Sequence, residues 1–119
     1  MWGRAMKRLG TLAAAALVAL AGLPAIAADC TGHVVGVKPI THYNHAAGNG
    51  FLAVRTGPGT NFPQLGELYL GDEFWVVDRQ GKWFLVDCMT GRCRDPLWGA
   101  ANPMGWVYGS YISIGGVCP

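Results

Sequence analysis

Glycine and proline recur so often from Gly32 onward in this 119-residue chain that no helix of ordinary length fits between them. Inside a helix glycine costs about 1 kcal/mol and proline about 3, so order here has to come from short extended pieces. The stretches between breaks suit that role. His33-Val34-Val35-Gly36-Val37 reads as a first strand, and Phe51-Leu52-Ala53-Val54-Arg55 as a second with Leu52 and Val54 on one face. Gly57-Pro58-Gly59 then stops the chain, since no regular strand crosses such a triplet. Leu65 to Leu70, Glu73 to Asp78, Lys82 to Cys88 and Gly105 to Tyr108 supply four more apolar runs. A single helical turn near Ser110 to Ile112 is all the helix that the residues call for. Short strands at intervals of about ten residues predict an all-β sandwich or small barrel.

The first residues follow a different rule. Arg4, Lys7 and Arg8 form a positive head, Leu9 to Leu23 is mostly apolar, and Pro24-Ala25-Ile26-Ala27 gives a small-residue exit. Those are the three parts of a secretory signal peptide, so residues 1–27 are expected to be an export signal and 28–119 the working domain. An uncleaved membrane anchor is disfavoured by the alanine content and by Pro24. A lipid-modified Cys30 is disfavoured by Asp29 just before it. With the head removed, six Lys and Arg face seven Asp and Glu, a net charge of −1. No basic stripe remains to track phosphates, which argues against nucleic acid as a partner.

A domain of roughly 90 residues buries a modest share of its surface and benefits from covalent help. Cys30, Cys88, Cys93 and Cys118 all lie beyond the leader, an even count that reads as a disulfide framework in an exported protein. Three connectivities are possible. The five-residue spacing of Cys88 and Cys93 suits a bridge across a local turn, which makes 30–118 with 88–93 the preferred pairing. A zinc site would want two close pairs, and only one pair is close.

Four motifs then occur in one order. Leu52-Ala53-Val54-Arg55-Thr56-Gly57-Pro58-Gly59-Thr60-Asn61-Phe62 resembles the L-N-V-R-x-G-P-G-T-x-(aromatic) hallmark of bacterial SH3 domains. Leu70-Gly71-Asp72-Glu73-Phe74 is similar to their K-G-D-x-V step, after a strand matching Leu65-Gly66-Glu67-Leu68. Gly81-Lys82-Trp83-Phe84-Leu85-Val86 resembles G-x-W-Y-K-V, and Gly105-Trp106-Val107-Tyr108-Gly109-Ser110-Tyr111-Ile112 resembles G-W-V-x-x-x-Y-L. The resemblance spans about 33–112 and implies an SH3-like, partly open antiparallel β-barrel with two long decorated loops. Those loops are Lys38 to Gly50 and the stretch between Val86 and Gly105. Phe84 and Val86 are expected to face inward, with Trp106 and Phe74 structural and Arg55 capping loop carbonyls rather than meeting a ligand. Leu85, polar in most of the family, makes an outer patch with Trp83 that the second insertion is expected to cover.

The chemistry-bearing residues point to binding. His42 and His45 lie three apart in a glycine-bounded loop, with His33 beyond them and no nearby carboxylate in sequence, so no metal is expected. Disulfides consume the thiols that a cysteine nucleophile would need, and Gly109-Ser110-Tyr111 lacks the glycine spacing of a nucleophile elbow. The chain is therefore not expected to be an enzyme or to need a cofactor. Tyr43, Phe62, Trp98, Tyr108 and Tyr111 fall on loops or strand ends, where a ring with a polar tip makes good contact material. Asn44 and Asn61 add amides suited to backbone recognition, completing the candidate ligand-binding set. The resemblance makes peptidoglycan or another peptide the default ligand of an exported, periplasmic or secreted module. A protein-interaction or assembly factor, or an inhibitor of a hydrolase, are the other classes a binding fold admits.

Overall fold

The computed structural model describes residues 29–119; the expected signal peptide lies outside the described residues. Seven antiparallel strands form one sheet: β1 (Thr31–Val34), β2 (Leu52–Arg55), β3 (Gln64–Leu68), β4 (Glu73–Gln80), β5 (Trp83–Thr90), β6 (Met104–Tyr108) and β7 (Ile112–Gly115). Their order is β3-β2-β6-β5-β4-β1-β7, so β3 and β7 are the edges. The sheet curls into a partly open SH3-like barrel. β2 meets β6 through a single registered pair, Arg55 with Trp106.

Alternation along the strands builds the core. Leu52 and Val54 of β2, Phe74 and Val76 of β4, Phe84 and Val86 of β5, and Val107 of β6 are all buried. Trp75, Val77, Trp83, Leu85 and Trp106 take the intervening outward positions. Gly105 sits on the inward side of β6, where a Cβ would meet Arg55 O at 2.6 Å and Val54 Cγ1 at 2.7 Å. Only glycine lets the two strands cross this closely. Gly71 and Gly81, both at positive φ, make the tight links before β4 and between β4 and β5.

Three expectations need correction. β1 begins two residues earlier than expected and stops at Val34, because the amides of Val35 and Gly36 turn away to share the carbonyl of Tyr111. The turn near Ser110 is present as a 3-10 turn over Gly109–Tyr111, but the chain does not end there. It continues into β7, which pairs along all of β1 from Thr31–Gly115 to Val34–Ile112. The insertion after Val86 also behaves differently. β5 runs on to Thr90, and the remaining loop packs on β3 rather than over Trp83 and Leu85. Ala100 N donates to Leu65 O, and Gly99 lies against Leu65 and Gly66. The cause is the anchor at Asp72, whose carboxylate accepts the amides of Tyr69, Arg92 and Cys93 at 2.8–2.9 Å. Burial pushes this carboxyl upward while the three amides pull against it. Trp83, at the far end of β5, packs edge-on against Tyr108 instead.

The disulfides join Cys30 to Cys118 and Cys88 to Cys93, as the spacing suggested. The first closes a loop with a sequence separation of 88. Replacing Cys30 and Cys118 by serine is expected to cost about 4 to 5 kcal/mol in urea unfolding, from the loop-closure entropy. The Cys88→Ser, Cys93→Ser pair closes a far shorter loop and is expected to cost less.

Candidate functional site

The long loop between β1 and β2 is pinned from beneath by a buried carboxylate. Glu67, on β3, has no exposed surface. Its Oε1 accepts the hydroxyls of Tyr43 at 2.9 Å and Tyr69 at 2.6 Å, and its Oε2 meets His45 Nδ1 at 2.6 Å. The Tyr69 hydroxyl in turn accepts Leu97 N at 2.8 Å, which ties the second insertion to the same point. His45 is stacked on both faces, against Phe51 at 5.4 Å and Trp98 at 4.2 Å between centroids. A buried carboxylate is tolerated only when its lone pairs are satisfied, and three donors meet that need.

This arrangement shapes a groove of about 1090 Å³. One side is the loop from His45 to Phe51, held by the paired backbones of Asn44 and Asn49. Another is the turn after β2, contributing Thr60 and Asn61, with Gln64 at the start of β3. Trp83, Tyr108 and Tyr111 supply an aromatic wall, with Tyr108 5.3 Å from Trp83 and 6.1 Å from Tyr111. Lys38 and Arg55 bring positive charge. Such a mixture of rings, amides and cations is a binding surface.

Of the seven residues expected at a ligand, Asn61, Tyr108 and Tyr111 line the groove together. The other four do not. Tyr43 spends its hydroxyl on Glu67, Asn44 accepts Ala47 N within its own turn, and Trp98 stacks on His45. Phe62 folds over Gly57, where any Cβ would collide with its ring. Arg55 does cap a loop carbonyl, donating Nη1 to Phe62 O at 3.0 Å, yet it also lines the groove. Trp83, read as an outer patch residue, belongs to the aromatic wall. Its spacing from Phe84 placed it outside the core, which was the available signal. His33 and His42 are exposed on separate elements, away from His45. Among the described residues no three metal-ligating side chains converge.

The family model for the bacterial SH3 domain matches residues 50–113, from the groove's glycine turn to the start of β7. The chain belongs to that family. Bacterial SH3 domains are binding domains, generally non-catalytic, and two disulfides are compatible with a place outside the reducing cytoplasm. The match leaves β1, Lys38 and His45 outside it, so one flank of this bacterial SH3 groove is built by residues beyond the matched segment. No curated protein matches the sequence.

The Glu67 cluster predicts two measurable properties. Burial, then the hydrogen bond to Glu67, pushes the Tyr43 phenol from 10.0 up to about 12. The same causes raise Tyr69 further. Since the folded state holds these protons more tightly, their stabilisation is complete below pH 10 and is lost as pH rises through the raised values. Near-ultraviolet titration of the phenols is expected to show a late-ionising class that loses one member in Tyr43→Phe. Glu67→Ala leaves three donors without their acceptor and is expected to cost about 3 to 5 kcal/mol in urea unfolding.

Proposed function

We propose that this protein is an exported, non-catalytic binding module whose groove takes peptide, with the stem peptides of peptidoglycan as its ligands. The observation that carries this reading is the aromatic wall of Trp83, Tyr108 and Tyr111 facing the amides of Asn61 and Gln64 in one open groove. Flat rings pack against peptide planes and short side chains, while amides pair with peptide N–H and C=O groups. The groove is open to solvent, which suits an extended peptide chain. Four cysteines consumed in two disulfides support a site of action in the periplasm or outside the cell.

A second reading, an assembly factor that docks on another exported protein, draws on a different face. Trp75, Val77 and Val117 are 42%, 51% and 68% exposed and lie beside the Cys30–Cys118 bridge. Exposed apolar residues grouped in this way suit a protein partner.

Co-sedimentation of the oxidised protein with purified cell-wall sacculi separates the two. Saturable binding is expected, weakened about tenfold or more by Tyr111→Ala or Tyr108→Ala. Trp75→Ala, on the other face, is expected to leave it unchanged. A protein that stays in the supernatant with a control protein would overturn the wall-peptide reading in favour of a protein partner.

A further inference from the structure

The groove carries charge of one sign. Lys38 and Arg55 line it, and no aspartate or glutamate does. That is not the balance of the domain, where seven carboxylates outnumber six cations over residues 29–119. The two buried carboxylates are engaged elsewhere: Glu67 with two tyrosines and His45, Asp72 with three amides. Among the described residues, the one ion pair is His45 with Glu67, so neither groove cation is matched by a protein carboxylate. Arg55 is nevertheless held in place. Its Nη1 donates to Phe62 O at 3.0 Å, which leaves the other donors of the guanidinium fork for a second acceptor.

We infer that the groove recognises its peptide through a free carboxylate on the ligand, bound by Arg55 with Lys38 as the second cation. The inference rests on the peptide-binding reading above and adds the group that the peptide must present. A planar carboxylate matches the fixed guanidinium fork, and charge-assisted hydrogen bonds are roughly twice as strong as neutral ones. Lys38 adds a point charge from the loop after β1, which packs at Gly36 against Tyr111. The neighbouring amide of Asn61 favours a peptide carboxylate over a bare inorganic anion, because it has a peptide backbone to pair with, and Gln64, whose Nε2 donates to Gly66 O, adds its carbonyl oxygen.

The probe is a set of soluble stem peptides released from sacculi. One portion is kept native, and in the other the carboxylates are converted to neutral methylamides. Binding to the oxidised protein is followed by amide chemical shifts. Native peptides are expected to bind about tenfold or more tightly than the blocked ones, with the difference shrinking as salt is raised. Lys38→Gln and Arg55→Gln are each expected to reduce that difference. Arg55→Lys, which keeps the charge but not the fork, is expected to restore only part of it. Lys38 is exposed, so its variant tests the inference even if replacing Arg55 loosens the turn at Phe62. Equal binding of native and blocked peptides would overturn carboxylate recognition and leave the peptide groove standing. Shifts in the groove with inorganic phosphate at concentrations where native peptides give none would overturn the peptide as the source of the anion. No groove shifts with any probe would overturn both readings.

Discussion

A carboxylate without exposed surface must be fully supplied with donors, and at Glu67 three donors come from two separate parts of the chain. Tyr43 and His45 belong to the loop between β1 and β2, while Tyr69 follows β3 and passes the contact on to Leu97 in the second insertion. Without Glu67, the first loop would lose its buried anchor, and the second insertion would be held by Asp72, the Cys88–Cys93 bridge and Leu65 O. With it, Leu68 and Val54 seal one side of the sheet while Glu67 and Tyr69 are sealed on the other. This is why β3 is buried on both faces at its end although it is an edge strand. The insertion also shields that edge, where an exposed strand would invite pairing with another chain.

The groove inherits its form from this anchoring. Its loop side is fixed through His45, its opposite side through the cap from Arg55 to Phe62, and its wall through the outward face of β5 and β6. The inward residues of those strands, Phe84, Val86 and Val107, are the core, so the wall rings stand on a packed base. The groove wall and the core therefore use alternate residues of the same strands. Phe84 holds the barrel, and Trp83 one position earlier faces the groove.

Breaks and apolar runs in the sequence were enough for a small all-β domain, and the family motifs for the barrel. Alternation marked Leu52 and Val54 in β2, apolar runs marked β4 and β5, the family resemblance gave the inward pair Phe84 and Val86, and the spacing of the cysteines led to both bridges. What escaped depended on contacts far apart in the chain. Tyr43 and Trp98 looked like free aromatic residues on loops because nothing local shows that one reaches Glu67 and the other stacks on His45. The separations are 24 and 53 residues, by their numbers in the sequence. One clue was present. Glu67 is the lone charge in the otherwise apolar or glycine run from Leu65 to Leu70, and a carboxylate there needs a reason. β7 was missed because Ile112 to Gly115 is short and runs into Gly116, and its strand character comes from pairing with β1.

The bridge between Cys30 and Cys118 has a mechanical side. The Cα atoms of these two residues are 4.8 Å apart, so the chain enters and leaves the domain at one point. A pull applied to residues 29 and 119 passes through the sulfur–sulfur bond and never reaches the hydrogen bonds of the sheet. For a domain tethered at both ends, tension in its surroundings would be borne covalently at that knot, while the groove keeps its shape under load.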